Sequence, residues 1–431
     1  MLYYDSCVVY SSKRPCRTVG ALLPRHVLNF IARNHARLGA RFWNTMVGVH
    51  DFAGSIHCPA ARDVEESMTS IRPDLSQSTT PAPSEPLLVS VVIPAYNSAN
   101  SIAQALDSVL EQTFARHEII VINDGSPDTA LLERALEPYR ERIRYIKQEN
   151  QGPSGARNAG IRAARGKYVA FLDSDDRWLA SHLATQIAAL EKRPALGLVY
   201  ADAMLTVDDV PVRTYFESCP QTHPVTFESL ITEECSVVTS ATVALREALV
   251  TAGMFDDQFR RCEDFDLWTR IVHCGYEADY TSHVQIVHRS RNGLSSDVES
   301  MKRSLVAVYG KMLSMPVSQG QKDLILARQA RAEAELQLEL CKKSLLGGDP
   351  QHALAAAKLA RRVFHNRRLR LLIFALQVAP RPFAMIYRLY VRFQAGRSRA
   401  RLERLRRSKP SSEMIGGIPA QEPTGTGIRS K

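Results

Sequence analysis

The sequence predicts an α/β fold, a mostly parallel sheet flanked by helices, followed by an all-α C-terminal extension. Two patterns carry that expectation. From Leu87 to about Leu172, short β-branched apolar runs alternate with segments of helical period, and this alternation implies right-handed βαβ units. After about Val298 nearly every window has helical period. With 431 residues, 45% of them apolar and 23% charged, the chain is long enough for two or three domains with a substantial core.

The elements are expected in the following order. VSVVIP at 89–94 is a continuous β-branched run, as suits a strand buried on both faces. A helix is expected over 99–111, a strand over 118–123, a helix near 129–140 and a strand over 143–148. A helix over 155–164 and a strand over 168–172 follow, and a helix is expected to begin near Trp178. Further strands are expected at 198–203 and 237–246, and helical segments at 108–113 and 263–271. In the extension, 327–344 and 351–364 form two helices joined by GGD. The small and apolar residues Ala334, Leu338, Gly348, Ala353 and Ala357 resemble one tetratricopeptide-type hairpin. A single repeat makes no array, so a plain helical hairpin is the favoured reading.

Residues 1–86 lack a sustained period and end in the Ser/Thr/Pro-rich DLSQSTTPAPSEP, so they read as a disordered or weakly structured extension and linker. The domain boundaries expected are therefore 1–86, a catalytic domain at 87–298, a helical region at 299–410 and a disordered tail at 411–431. Eight cysteines (7, 16, 58, 219, 235, 262, 274 and 341) show no CxxC or other paired spacing. They read as reduced thiols of a cytoplasmic protein, with neither a zinc site nor a disulfide framework. The N-terminus has no clean charged-then-apolar signal pattern.

Charge is unevenly spread. The whole chain carries +10, but residues 351–410 hold sixteen Lys or Arg against the single acid Glu403, a net of +15, which leaves about −5 elsewhere. The basicity belongs to the tail. No apolar run spans a bilayer; the longest, 371–379, is about half of the ~20 residues a spanning helix needs.

The chemistry is concentrated at strand ends. VAFLDSDDRW (169–178) runs from an apolar strand into three carboxylates, Asp173, Asp175 and Asp176. Like charges packed this closely stay ionised together when a divalent cation or a hydrogen-bond network holds them. Capping of the helix near Trp178 is the other reading of Asp175 or Asp176, and the cluster alone leaves both open. Three neighbouring strand ends add polar residues: Ala95, Tyr96 and Asn97 after the first, Asp124, Gly125 and Ser126 after the second, and Asn150, Gly152, Gly155 and Arg157 after the third. Each has a bland reading as a turn. In a parallel sheet, however, all four ends converge on one crevice, and this set suits a nucleotide diphosphate with a metal ion.

SVVIPAYNSANSIAQALDSVLEQTF, EIIVINDGSPD, NQGPSGARNAGI and GKYVAFLDSDD strongly resemble the inverting family 2 glycosyltransferases with the GT-A fold, over about 88–297. The resemblance implies that Pro94, Ala95 and Tyr96 pack around the nucleotide base and that Asp124 hydrogen-bonds it, usually as uracil. It implies that Arg157 lies on the nucleotide side. Asp173 and Asp175 match the DxD motif: the first meets ribose or metal, the second ligates Mn²⁺ or Mg²⁺, and Asp176 is an adjacent structural or capping acid. RRCEDFDLWTRIV (260–272) looks like the acceptor-side helix, with Asp264 as general base and Glu263 orienting it or binding the acceptor. Two acids at a helix N-terminus are also stabilised simply by its dipole. IVHRSRNGLSSD (286–297) is similar to a flexible basic loop that closes over the donor, so that Arg289 and Arg291 meet the diphosphate and His288 approaches the metal. A solvated basic loop is the competing reading.

The implied reaction moves a sugar from a nucleotide-sugar, most simply a UDP-sugar, to a hydroxyl of a glycan or lipid-linked acceptor. A non-catalytic scaffold acting through the C-terminal helices is the alternative from another class. A nucleotidyltransferase would carry a Gly-rich, Lys/Arg-bearing loop where AYNSAN stands. A processive membrane-embedded synthase would carry QxxRW and spanning helices. The basic segment 366–410, with Leu371, Leu372, Ile373, Phe374, Phe383, Ile386, Tyr387 and Tyr390 among arginines, suits an anionic membrane surface, which would make the protein peripheral on the inner face of the membrane. A helical pair packed on the catalytic domain is the competing reading. No aromatic-basic interleaving points to nucleic acid.

Overall fold

The computed structural model describes residues 87–207, 209–219, 221–290 and 297–408, with the backbone alone for 290 and 395–408. The expectations for 1–86 and 411–431, and for Cys7, Cys16 and Cys58, lie outside the described residues. The five cysteines within them are free thiols.

A nine-stranded mixed sheet organises the catalytic part. Four parallel strands come first: β1 (Val89–Ala95), β2 (His117–Asp124), β3 (Ile143–Gln148) and β4 (Tyr168–Phe171). β1 lies between β2 and β4, and β3 lies outside β2. Beyond β4 come β8 (Thr242–Leu245), β6 (Leu196–Val207) and β9 (Glu277–Ser290), ending at the two-residue β5 (Arg177–Trp178). β8 is antiparallel to both of its neighbours, β9 is parallel to β6, and β7 (Val210–Thr214) pairs with β6.

Helix α1 (Ile102–Leu110) follows β1, and α2 (Thr129–Leu136) follows β2. A 3-10 turn continues α2 over Glu137–Tyr139, where Pro138 has no amide to donate to an α-helical bond. α3 (Gly152–Ala163) follows β3 and packs close on β1; a Cβ at Gly160 would lie 2.2 Å from Val92 Cγ1, so only glycine permits that approach. Val92, Ile120 and Ile122 face Ala156 and Ile161 of α3 in one cluster with Phe171 and Trp268.

Three expectations are corrected. The helix expected near Trp178 is α4 (His182–Lys192), with Ser181 at its N-cap position, so neither Asp175 nor Asp176 caps it. Arg177 and Trp178 instead pair with Val287 and Ile286, and the Trp178 indole is buried, donating to Ser240 O at 2.7 Å. The strand expected over 237–246 is β8 alone, preceded by a 3-10 turn at Thr239–Ala241 whose hydroxyls bond elsewhere. The loop expected over 286–297 is ordered strand through Ser290, because those residues pair with Ala203–Val207 of β6. β9 as a whole escaped the pattern, since EADYTSHVQIVHRS mixes polar and apolar residues without clean alternation.

Short helices α5 (Tyr215–Ser218), α6 (Phe227–Ile231) and α7 (Arg246–Thr251) precede α8 (Glu263–His273). The described part of the extension consists of helices joined by short turns: α9 (Val298–Met312), α10 (Gln319–Gly347), α11 (Pro350–Ala360), α12 (Arg367–Val378) and α13 (Pro380–Ser408). Its first half is anchored to the catalytic part, where Leu305, Val308, Tyr309 and Ile325 pack with Phe227, Ile231 and Phe259. The GGD turn works as its residues demand: Gly348 takes φ +82°, and the Asp349 carboxylate accepts from the Gln351 and His352 amides. α12 and α13 pack on α10 and α11 through Cys341, Leu345, Ala353, Ala357, Leu369, Leu376 and Ala384. That cluster contains no residue of the catalytic part. Among the described residues no helix is long and apolar enough to cross a membrane.

Candidate active site

The C-terminal ends of β1 to β4 lie along one edge, as the parallel register requires; Ala95 pairs with Asn123, and Asp124 with Gln148. At the first end Ala95 is fully buried, while Tyr96 is 54% exposed. Asn97 takes φ +52° and its amide donates to Ser126 Oγ at 2.7 Å, tying the first strand end to the second.

Asp124 is buried and holds the next loop. Its Oδ1 accepts from Gln148 Nε2 (2.7 Å) and the Gln151 amide (2.9 Å), and its Oδ2 from the Gly152 amide (2.8 Å). Gly125 beside it has φ +62°, and a Cβ there would lie 2.6 Å from the Asn150 amide nitrogen. Asp124 thus shapes the entrance to α3, and any ligand bond would use a remaining lone pair.

Arg157 is the structural centre. It is buried on α3, with Nη2 2.7 Å from Asp173 Oδ1 and Nη1 2.8 Å from Glu263 Oε1, and its guanidinium lies 5.5 Å from the Phe255 ring centroid. It therefore joins the end of β4 to the head of α8. Burial works against the ionised Asp173 carboxylate, but Arg157 outweighs it and holds that pKa below the usual carboxylate range. Glu263 goes the other way: burial and the adjacent Asp264 push it up to about 7 despite Arg157.

Asp264 is half-buried beside this strut. Its Oδ2 accepts from Thr239 Oγ1 at 2.9 Å and its Oδ1 from the Phe265 amide at 2.8 Å. Ser240, the next residue, accepts at Oγ from the Asp173 amide at 3.1 Å. The turn before β8 thus links the β4 carboxylates to the α8 carboxylates. Sequence reasoning missed both hydroxyl residues; the available signal was a Thr-Ser-Ala-Thr run inside an otherwise apolar stretch.

The three carboxylates after β4 divide. Asp176 is completely buried and turned inward, accepting from the Arg289 amide at Oδ1 and from His288 Nδ1 at Oδ2, each at 3.0 Å. Burial lowers the His288 pKa, but Asp176, Asp175 and Asp173 outweigh it and push it up to about 9. The metal role expected for His288 would require loss of its proton. Arg289 lies in β9 with Nε 2.7 Å from Asp209 Oδ1 and Nη2 2.5 Å from Gln104 Oε1, not in a free loop. Arg291 lies outside the described residues. Asp175 makes no ion pair among the described residues, and burial with the charges of Asp176 and Asp173 pushes it up to about 6.

The residues suit a divalent cation in a particular way. Five carboxylates (Asp173, Asp175, Asp176, Glu263, Asp264) face two cationic partners, so negative charge is in surplus at Asp175. Among the described residues no three His, Cys, Asp or Glu side chains form a complete metal cluster. Mg²⁺-type sites commonly take one or two carboxylates and complete the shell with substrate phosphates and water. Asp175 and Asp173 fit that mode.

The family described as "Glycosyl transferase family 2" matches residues 90–247. Over 198 residues the chain is 32% identical to the Escherichia coli UDP-Glc:α-D-GlcNAc-diphosphoundecaprenol β-1,3-glucosyltransferase WfgD, covering 44% of this chain and 74% of that protein. The chain belongs to glycosyl transferase family 2. A second E. coli glucosyltransferase of the same printed activity, WfaP, is 30% identical, with 48% of this chain and 78% of that protein covered. The chain spans 27% to 58% of the length of four Rickettsia proteins named uncharacterized glycosyltransferases. The fold of this family 2 transferase is shared with S. aureus TarS 1–349 in complex with UDP-GlcNAc (TM-score 0.50, 20% identity, 70% of this chain and 88% of that one). The GT-A architecture expected from the sequence is the one found.

Proposed function

We propose that this chain transfers a sugar from a UDP-sugar to a hydroxyl of a lipid-linked glycan acceptor, with inversion at the anomeric carbon. The observation that supports it most is the Arg157 strut, which ties the DxD carboxylate Asp173 to the head of the acceptor-side helix, beside Asp264. The relatives' UDP-glucose donor and diphosphoundecaprenol-linked acceptor favour this substrate class.

In this reading Tyr96 offers its exposed ring to the base, and Asp124 fixes the loop that borders the nucleotide. The acceptor hydroxyl attacks the anomeric carbon as Asp264 takes its proton; the bond from that carbon to the diphosphate oxygen breaks on the opposite face, and the electron pair leaves with the nucleoside diphosphate. Glu263 and Thr239 orient Asp264. A divalent cation, Mn²⁺ or Mg²⁺, held by Asp175 and Asp173 would supply charge neutralisation on the leaving diphosphate. A lipid-linked acceptor puts the reaction at a membrane surface, peripheral on its inner face.

The test is release of UDP from a panel of UDP-sugars, with and without Mn²⁺ or Mg²⁺ and with a polyprenyl-diphosphate sugar as acceptor. Wild-type protein is expected to release UDP only with metal, and Asp175→Ala to lose at least about a hundredfold of that rate. Identical behaviour of the two proteins across the panel would favour the non-catalytic scaffold.

A further inference from the structure

Helices α12 and α13 each carry two apolar faces. On α12, Leu369, Leu372, Ile373 and Leu376 pack into the helical cluster, while Leu371, Phe374 and Val378, displaced around the helix, remain exposed; Phe374 is 62% and Val378 67% accessible. On α13, Phe383, Ala384 and Tyr387 pack inward, and Met385 and Leu389 are exposed. An ordinary surface helix keeps one apolar stripe and turns polar residues outward. These do not.

The residues around the outward faces are of one sign. Between 367 and 394 there are six arginines, Arg367, Arg368, Arg370, Arg381, Arg388 and Arg392, and no acid. Arg367, Arg370, Arg381 and Arg392 are exposed. The backbone of α13 continues as helix to Ser408, through a sequence that adds Arg397, Arg399, Arg401, Arg404, Arg406 and Arg407 against Glu403.

We propose that the outward faces of α12 and α13 dock this enzyme onto an anionic lipid surface, with Leu371, Phe374, Val378, Met385 and Leu389 entering the headgroup–acyl boundary and the arginines meeting lipid phosphates. Apolar residues rimmed by arginine are what such a surface selects. A second copy of the chain fits poorly, because a two-fold pairing would set six arginines against six arginines. The packed half of each helix fixes the pair on α10 and α11, so the docking face exists before any lipid is met. The docking face is separate from the transfer site, and vesicle binding does not depend on the proposed reaction.

The experiment is flotation of the full chain with vesicles of phosphatidylcholine alone or mixed with phosphatidylglycerol. Binding is expected to the anionic vesicles only, and it should weaken sharply between about 0.1 M and 1 M salt, where the screening length falls from about 10 Å to 3 Å. Phe374→Glu with Leu389→Glu should reduce partitioning by about tenfold or more, since carboxylates replace buried apolar contact and oppose the lipid charge. Arg367→Gln with Arg370→Gln and Arg381→Gln should reduce binding to anionic vesicles while the apolar face stays intact. All of these positions are exposed, so melting temperature should be unchanged; UDP release measured without vesicles reads the transfer reaction separately. Equal partitioning of wild type and the Glu variant overturns the proposal. So does a concentration-dependent dimer, by light scattering, that the same variant dissolves while no vesicle binding is seen.

Discussion

Replacing Arg157 with Met keeps a long apolar stem against Phe255 and removes the charge that Asp173 and Glu263 share. Breaking a buried ion pair costs about 3–5 kcal/mol, because the remaining partner is left charged without a counter-ion. Here two carboxylates are stranded, but they do not cost equally. Glu263 titrates near 7 even with Arg157 in place, so without it Glu263 escapes most of the penalty at neutral pH by taking a proton. Asp173 is held below the usual carboxylate range by the same arginine, and the cost falls mainly there. The expected loss is therefore about 3 kcal/mol, toward the lower end of that range. At roughly 2–4 °C per kcal/mol this is about 6–12 °C in melting temperature. Differential scanning fluorimetry at pH 7.5 reads it directly, with Arg157→Met/Glu263→Gln as companion. Because the stranded Glu263 is largely protonated at that pH, the double variant should melt within about 2 °C of the single one. At pH 9, where Glu263 must ionise, the double variant should be the more stable of the two. A single variant that melts with wild type would refute the strut and return Arg157 to the nucleotide-facing role that the sequence suggested.

Three further outcomes follow from the same geometry. Asp264→Asn should lower sugar transfer by about 10²–10⁴-fold, as loss of a general base does, with donor affinity by calorimetry unchanged. Asp176→Asn removes the ionic partner of His288, which is held as a cation by a pKa near 9. That variant should lose about 1–3 kcal/mol at pH 7, measured by chemical denaturation, because His288 can release its proton once Asp176 no longer holds it. Asp175→Asn, by contrast, should not destabilise and should raise the melting temperature slightly by removing like-charge repulsion. Glu263 has a folded pKa raised from 4.5 to about 7, so the native state holds its proton more tightly than the unfolded chain does. Its contribution is complete below about pH 4.5 and is lost as pH rises through 7; the Glu263→Gln variant should show a flatter stability profile across that window.

β1 and β2 were legible because strands buried on both faces read as continuous β-branched runs, and 89–94 and 119–122 are such runs. β9 was not, although at fourteen residues it is the longest strand. Its ladder to β6 slips register three times and one end meets the buried Asp176, so its side chains answer to local partners and not to a repeating face. The site residues were legible as types and less so as roles. Arg157 and Asp124 each stand at a strand end in a motif that a nucleotide would use, yet both spend their bonds on protein. Nothing in a linear sequence says that Glu263, over a hundred residues later, is the second partner of Arg157. The hydroxyls of Thr239 and Ser240 were hidden for a related reason: inside an apolar run they read as strand, and only the tertiary fold brings carboxylates against them.

The DSDD cluster shows why proximity in sequence is a poor guide to shared function. Three carboxylates within four positions repel, and the fold relieves the repulsion by assigning them different neighbours. Asp173 turns to Arg157 and Asp176 to His288 and the β9 backbone, and each of those bonds also fastens a distant element to the end of β4. Asp175 alone forms no ion pair among the described residues; His288 attracts it, but burial and the charges of Asp176 and Asp173 outweigh that attraction. An ionised Asp175 therefore costs the fold stability. That cost supports the proposal that a divalent cation arrives there with the donor diphosphate. Asp176 differs in that each of its oxygens already accepts a hydrogen bond from β9.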